Sequence, residues 1–369
     1  FAANIVGARS VTALFDRYGV RESEATIAAY LEFTEKRFRA AIERLPSGRY
    51  EAEDYLDGND EDSVAKIKLA LTVGRGKLRF DFAGSDAQLG CARNIPYRAL
   101  LATVYTVAKA LLDPEVPANA GYYRTLDISA PPGSVVGPVP PAAIGCRSIS
   151  ASVLGDVIAA ALSQALPEKA LAGSGPHHLY VLSGTDPRTG KYFVNYETLA
   201  GGMGARAKRD GVDGVRVHAS GSSNLPVEAL EHAYPFRVER YALWEGSGGA
   251  GRFRGGMGVV RDYRVLSDDI VVSLSSERQH VAAMGSHGGA AGALGAFVLN
   301  PGTRDEQKLP AAAADVKLPR DSVLRICTPS GGGYGPASER DRAAVERDLH
   351  EERLDTRSAL NVYGYEEQS

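Results

Sequence analysis

Apolar residues recur every three or four positions between residues 23 and 45, and charged side chains occupy the opposite face. This spacing predicts an amphipathic helix with Ser23 as its N-cap. The same pattern predicts a second helix over Tyr97–Leu112 and a third over residues 155–165, each ended by a nearby proline. The helices of this chain are therefore expected mainly in its first half.

Strict alternation of apolar and polar positions indicates strands. Residues 67–82 alternate on either side of Gly74-Arg75-Gly76, which is typical of a hairpin. Beyond Pro167, β-branched and aromatic residues become frequent, and glycine-rich segments separate the runs. Strands are predicted there at residues 179–182, 192–196, 215–219, 236–243, 258–265 and 270–274.

These patterns predict an α+β fold, a β-rich mixed α/β chain whose second half is glycine-rich and mostly β. We expect three regions. Residues 1–167 form a mixed helix and hairpin region, residues 168–336 a β-rich domain with glycine loops, and residues 337–369 a tail containing a charge-rich helix at 338–354.

Composition narrows the class of protein. The 42 basic and 45 acidic residues give a formal net charge of -3, so no positive field exists to hold nucleic acid or an anionic membrane. Three scattered cysteines fit neither a disulfide framework nor a zinc cluster, and no leader or apolar stretch of membrane-spanning length is evident. We expect a cytoplasmic protein without nucleic-acid or membrane partners.

Two glycine motifs resemble nucleotide sites but miss the spacing. In residues 184–191 five residues separate the glycines where a P-loop has four, so a hairpin turn explains them better, and residues 249–255 miss the dinucleotide spacing by one. His177 and His178 are adjacent and would point to opposite faces of a strand, and no metal-binding histidine spacing occurs. The sequence predicts neither a nucleotide site nor a metal site in this chain.

Seven segments, in order along nearly the whole chain, resemble the hydantoinase B family. This family contains the B subunits of ATP-dependent hydantoinases and 5-oxoprolinases and is related to acetone and acetophenone carboxylase subunits. The segments are FDFAGSDAQ (80–88), LDPEVPANAGYYR (112–124), YETLAGGMGAR (196–206), NLPVEALEHAYPFRVERYAL (224–243), GSGGAGRFRGGMGVVRDY (246–263), SER (276–278) and TPSGGGYG (328–335).

The resemblance implies a division of labour. A hydantoinase A-like ATPase subunit would bind ATP and phosphorylate the oxygen of a small-molecule lactam or carbonyl substrate, and the B subunit would act on the activated intermediate. In the family a preceding N-terminal segment carries metal-binding motifs that are absent here. We therefore expect the divalent metal on that missing region, none on this chain alone, and residues 1–167 to continue a truncated or cleaved domain. The N-terminal polypeptide would be a partner if it is cleaved.

Glu197 precedes Gly201, Gly202 and Gly204, whose small size would let substrate and backbone N–H groups approach. Glu197 is a candidate general base; the alternative is a loop carboxylate that pairs with Arg206. Asn224 could hydrogen-bond a ring amide, and His218 is predicted on the strand that leads into the same loop. For each of the two, the alternative is a purely structural role.

Two further residues could hold an anion. Arg278 could grip a phosphoryl or carboxylate group with two N–H donors, or pair internally with Glu277. Ser330, with the three glycines that follow it, could form a backbone anion cradle or a simple turn. Departures from the family at residues 89–94 and 176–178 leave the substrate open.

Three functions remain at this stage. The first is a subunit of an ATP-dependent cyclic-amide hydrolase, the second a subunit of an ATP-dependent ketone carboxylase, and the third a non-catalytic scaffold fragment that docks the ATPase.

Overall fold

The computed structural model describes residues 1–58, 63–218 and 220–366, and it has the predicted α+β fold. Its helices are α1 (Ala2–Tyr18), α2 (Val20–Glu43), α3 (Tyr97–Leu112), α4 (Ala120–Tyr123), α5 (Arg147–Ala165), α6 (Val227–Ala233), α7 (Arg342–His350) and α8 (Thr356–Tyr363). Its strands are β1 (Gly48–Leu56), β2 (Ala65–Gly74), β3 (Lys77–Asp81), β4 (Leu126–Ser129), β5 (His178–Asp186), β6 (Lys191–Leu199), β7 (Phe236–Leu243), β8 (Val259–Val265), β9 (Ile270–Ser275), β10 (Ala296–Leu299), β11 (Gln307–Leu309), β12 (Ala312–Leu318) and β13 (Val323–Cys327).

The first half of the chain builds one hydrophobic core on a four-stranded sheet, in the order β1-β2-β3-β4. The predicted hairpin places Leu71 of β2 opposite Phe80 of β3, and both side chains are buried. Helix α5 has the length and composition of a membrane-crossing helix, but 83% of its apolar window is buried inside the protein. It therefore packs as a central core helix.

The second half builds another core between two sheets. One sheet has five strands, in the order β11-β10-β13-β8-β7, and the other has four, in the order β12-β9-β5-β6. Side chains from both sheets, including Tyr180, Tyr263 and Phe297, belong to one buried cluster. The loop at residues 186–190 closes the β5–β6 hairpin, as predicted.

The glycine-rich segments beside these sheets pack backbone against backbone. The N–H of Gly202 donates to Pro329 O at 3.0 Å, and the N–H of Gly331 donates to Gly256 O at 2.9 Å. A Cβ atom on Gly202 would lie 1.9 Å from Gly256 O, and one on Gly331 would lie 2.1 Å from Met203 O. These positions require glycine because the neighbouring backbone fills the space of a side chain.

Several predicted elements are corrected. Residues 215–218 form no strand, only an isolated bridge between Val215 and Gly201, and residue 219 lies outside the described residues. The helix predicted at 155–165 begins earlier, at Arg147. Helix α2 begins after Gly19, and the Ser23 hydroxyl donates back to Gly19 O at 2.8 Å, so Ser23 is not the N-cap. The charged tail forms two short helices, α7 and α8.

A buried ion network joins the two cores. The Arg278 guanidinium donates to both oxygens of Asp54, at 2.9 and 2.6 Å, and to Asp156 on α5 at 3.2 Å. Burial lowers the pKa of Arg278, but the Asp54 charge outweighs this effect and the pKa lies above its usual value. Beside it, Arg93 Nε lies 3.1 Å from the fully buried Glu277. Burial raises the pKa of Glu277 to about 8, although the Arg93 charge opposes the rise.

We predict that Arg278→Met lowers the free energy of unfolding by about 3–5 kcal/mol, because it leaves buried carboxylates without their cation. Urea unfolding measures the loss. The control is Arg304→Met at an exposed arginine 3.8 Å from Asp305, which should change the value by less than about 0.5 kcal/mol. A loss below about 1 kcal/mol in Arg278→Met would contradict the structural role of this network.

Candidate active site

Glu197 lies near the end of β6, where the strand's alternation turns its side chain inward. Tyr180 of β5 is its register partner, and Asn195 shares the same inward face. Tyr192, Val194 and Tyr196 point the other way and are exposed. The strand therefore places a carboxylate and an amide beneath its own surface.

Five donors surround the Glu197 carboxylate. Its Oε1 accepts from Asn224 Nδ2 at 3.2 Å and from the Leu225 N–H at 2.9 Å. Its Oε2 accepts from the hydroxyls of Tyr180 at 2.9 Å and Tyr263 at 3.1 Å, and from Arg261 Nη1 at 3.4 Å. The four lone-pair sites of the Glu197 carboxylate therefore all have donors within hydrogen-bond distance.

The two tyrosine hydroxyls have two protons for three contacts, because they also lie against each other. Their hydroxyl oxygens lie 2.6 Å apart. Burial raises the pKa of Tyr180 well above its usual value, and the neighbouring Tyr263 and Glu197 raise it further. Burial also raises the pKa of Tyr263, against the opposing charge of Arg261. Both hydroxyls stay protonated at neutral pH, so one of them can donate to the Glu197 carboxylate while the other donates to its neighbour's hydroxyl.

This geometry fits an anchoring carboxylate better than a general base, because a base needs a free acceptor site for the attacking water. Glu197 fixes the loop at Asn224 and Leu225. The alternative pairing with Arg206 is wrong, since Arg206 donates to Asp210 O at 3.0 Å and Glu197 pairs with Arg261 instead. The catalytic role of Glu197 stays a prediction.

Asn224 lies beside Glu197, as the sequence suggested. Its Nδ2 also donates to Thr198 O at 2.9 Å, and its Oδ1 accepts from the Tyr241 hydroxyl at 3.4 Å. Both residues line a cleft of about 600 Å³. The cleft is further lined by Val194, Asn195, Tyr196, Thr198, Arg216, Ser222, Ser223, Leu225, Pro226 and Tyr234.

His218 does not line this cleft. Its Nε2 lies 2.8 Å from Asp156 Oδ1, and its φ of 55° is left-handed. The other oxygen of Asp156 accepts from the Ser174 N–H at 2.9 Å and from Arg278. His218 and Arg278 therefore meet at Asp156, and sequence reasoning missed this carboxylate. The sequence gives one signal for Asp156, which is that it is the lone acidic residue in the apolar sequence of α5.

Arg278 forms internal ion pairs, as one alternative predicted. Its partners are Asp54 and Asp156, however, and not Glu277. Its guanidinium is fully buried. The predicted grip on a phosphoryl or carboxylate group would require the guanidinium to leave these two carboxylates. The geometry favours the internal pair.

The predicted anion cradle has its donors engaged. The N–H of Ser330 donates to Ala293 O at 3.1 Å, and its hydroxyl accepts from the Gly258 N–H at 3.0 Å. Gly204 donates to the Ser174 hydroxyl at 3.1 Å, while Gly201 O accepts from the Val215 N–H at 2.9 Å. With the Gly202 N–H bonded to Pro329 O, the N–H groups of Ser330, Gly202 and Gly204 are all engaged within the protein. The structure therefore favours the alternative prediction, a simple turn that packs within the protein.

His177 and His178 are buried at the start of β5. Burial lowers their pKa values, to about 4 for His177 and about 3 for His178. Within residues 1–58, 63–218 and 220–366, no group of three or more His, Cys, Asp or Glu side chains is arranged to hold a metal ion. The metal expected for the family therefore has no ligand set among these residues, and its location stays a prediction.

Comparison with known proteins identifies the family. The family model described as hydantoinase B/oxoprolinase matches residues 1–337, so the chain belongs to that family. A caprolactamase subunit beta of Pseudomonas jessenii is 28% identical over 99% of this chain, and 5-oxoprolinase 1 of Arabidopsis thaliana is 29% identical over 90%. The first of these relatives is named as one subunit of a caprolactamase.

Two solved structures share the fold. An ATP-dependent caprolactamase from Pseudomonas jessenii has a TM-score of 0.85 at 23% identity and covers 99% of this chain. A nucleotide-free acetone carboxylase has a TM-score of 0.83 at 18% identity and covers 96%. The chain spans 64% of the caprolactamase subunit and 26% of the plant 5-oxoprolinase, so it matches only part of its longer relatives.

We predict that Glu197→Gln destabilises the fold by about 2–4 kcal/mol, because the variant leaves the buried Arg261 without its charge partner. The control is Glu239→Gln, which removes the half-exposed partner of Arg264 and should cost at most about 1 kcal/mol. Chemical unfolding measures both variants. Equal stability losses in the two would show that Glu197 is not a structural anchor.

A second prediction concerns pH. His178 is neutral in the fold, with a pKa of about 3 against an ordinary 6.5. Between these pH values the unfolded chain binds a proton that the folded chain does not. The contribution of His178 to the free energy of unfolding is therefore complete above about pH 6.5 and is lost as pH falls towards 3. In His178→Gln the free energy of unfolding should therefore fall less steeply between pH 7 and pH 4 than in the wild type. The control His350→Gln, at an exposed position, should keep the wild-type slope. Identical slopes in all three proteins would contradict the prediction.

Proposed function

We propose that this chain is the B-type catalytic subunit, or a piece of it, of an ATP-dependent cyclic-amide hydrolase. The observation that carries this proposal is the family match over residues 1–337, together with a caprolactamase fold that covers 99% of the chain. The substrate would be a lactam or hydantoin ring whose carbonyl oxygen is phosphorylated by a hydantoinase A-like ATPase partner.

The chemistry needs both polypeptides. An unstrained amide ring resists water because its carbonyl carbon is a weak electrophile. Phosphoryl transfer from ATP to the carbonyl oxygen activates that carbon for water addition and cleavage of the ring C–N bond. One lactam ring and one ATP would consume two waters and yield an amino acid, ADP and inorganic phosphate, whereas a hydantoin ring would yield an N-carbamoyl amino acid in place of the free amino acid. The cleft beside Glu197 and Asn224 is the site that this chain would contribute, while ATP and a divalent metal would bind elsewhere in the complex.

The N-terminal helices support association with another polypeptide. Helix α1 buries none of its residues. Ten large apolar side chains are exposed among residues 1–33, namely Phe1, Ile5, Val6, Val11, Leu14, Tyr18, Val20, Ile27, Tyr30 and Phe33. Exposed apolar surface of this extent marks an interaction site. We assign it to the additional part of the B-type subunit that longer relatives contain, carried on the same or a separate polypeptide.

The acetone carboxylase fold supports a second candidate, a subunit of an ATP-dependent ketone carboxylase. A third candidate is a scaffold fragment, because several of the predicted site residues are engaged within the protein. We place the complex in the cytoplasm, in keeping with three scattered free cysteines.

The deciding experiment uses the complex purified with its partner subunits and separates these candidates. Ring-opened amino acid and ADP should appear together, only with ATP, and this chain alone should be inactive. Bicarbonate-derived label in a ketone product would overturn the hydrolase in favour of the carboxylase. A full turnover rate in complexes that lack this chain would leave the non-catalytic scaffold as the remaining candidate function.

A further inference from the structure

A second cleft lies between the C-terminal tail and the loops of the β-rich region, and four arginines line it, namely Arg209, Arg252, Arg340 and Arg347. We propose that this cleft binds a phosphate group, either free or at the end of a nucleotide, and that the bound anion holds α7 against the β-rich region. Among the described residues it shares no lining residue with the cleft beside Glu197. Phosphate binding here therefore does not depend on the proposed function.

The tail and the β-rich region build this cleft together. Its volume is about 460 Å³. Ala344 and Arg347 lie three residues apart on one face of α7, and Arg340 precedes the N-cap of that helix. Arg209 and Arg252 belong to two loops of the β-rich region. The family match ends at residue 337, so every lining residue from the tail lies beyond it.

Arg340 is the buried cation of this cleft. Its side chain is 1% exposed, and its Nη1 and Nη2 donate to the two oxygens of Asp210 at 2.8 and 2.9 Å. Its Nη2 also donates to Asp348 at 2.6 Å. Its Nε has no hydrogen-bond partner among the described residues, and buried donors of this kind are uncommon in native structures. An oxygen of a bound anion would supply the acceptor.

The other three arginines give the cleft a surplus of positive charge. Neither Arg209 nor Arg347 forms an ion pair with a carboxylate of the described residues. Arg252 lies 3.8 Å from Glu339, and because both side chains are more than half exposed, water weakens this contact. The lining contains three acidic residues against four arginines, and one of the three is already paired with Arg340. The cleft therefore attracts an anion.

The placement of the donors favours a phosphate over a carboxylate. Arg209, Arg252 and Arg347 come from three separate segments of the chain. A tetrahedral phosphate offers oxygens to donors on several sides, whereas a carboxylate offers two oxygens in one plane. Asp341, the N-cap of α7, forms no side-chain cap bond, so N–H groups of the first turn remain available to an anion. The Asp341 charge itself opposes binding, which makes this residue a useful test position.

A bound phosphate would connect two parts of the chain. Arg347 is on α7, whereas Arg209 and Arg252 are on loops of the β-rich region, so one anion that contacts both sides resists their separation. A ligand that binds only the docked arrangement stabilises that arrangement by mass action. We therefore expect phosphate to slow hydrogen exchange of the backbone amides in α7.

The test titrates inorganic phosphate and ADP separately into the full chain by calorimetry, with potassium chloride keeping the ionic strength constant. We expect saturable binding with a Kd of about 1 mM or lower. Arg209→Gln and Arg347→Gln should each weaken binding about tenfold, because each removes charge-assisted hydrogen bonds. Asp341→Asn keeps an N-cap side chain and removes the opposing charge, so it should bind more tightly. Tighter binding of phosphate identifies the free anion as the ligand, and tighter binding of ADP identifies a nucleotide phosphate.

The matched control is Arg342→Gln, which removes an exposed arginine of the same helix that does not line the cleft and should keep the wild-type affinity. Thermal unfolding without ligand establishes that each variant folds. Absent binding of both anions, or equal losses of affinity in Arg342→Gln and Arg347→Gln, would overturn the site. Binding without slower hydrogen exchange in α7 would overturn its role in holding the tail. No turnover is measured, so failure of ring opening in the assembled complex leaves this result unaffected.

Discussion

The contact between Arg278 and the two carboxylates of Asp54 and Asp156 holds the two halves of this protein together. One guanidinium from the segment after β9 reaches a strand and a helix of the first core. Removing these charges from water is costly, and the cost is offset only because the geometry pairs each oxygen with a donor. The same Asp156 orients His218, so the network also sets the loop that leads towards the cleft.

A second constraint acts on the cleft. The glycine-rich segments pack with backbone atoms in each other's side-chain space, and this packing positions the start of β5 against the end of β6. Glu197 then binds the loop at Asn224 and Leu225, and both of these residues line the cleft. The packing of the glycine segments and the Glu197 contacts therefore together set the shape of the cleft.

Local patterns predicted the elements that depend on local physics. The helix at Tyr97–Leu112 and the strand at Phe236–Leu243 match their predicted bounds, because apolar periodicity there coincides with one buried face or with regular pairing. The strand predicted at residues 215–219 was wrong, since Val217 is buried without joining a sheet ladder. Local patterns could not identify ion-pair partners that are distant in sequence. Asp54 precedes Arg278 by 224 positions, and only the folded chain shows that Arg278 pairs with it and not with Glu277.

In the proposed function, this chain contributes a ligand-binding cleft to an ATP-dependent complex. The most direct measurement is an experimental structure of the chain, assembled with its ATPase partner and soaked with a cyclic amide. We expect ligand density in the cleft, beside Glu197 and Asn224. Ligand bound only on another polypeptide, with the cleft occupied by solvent, would contradict it.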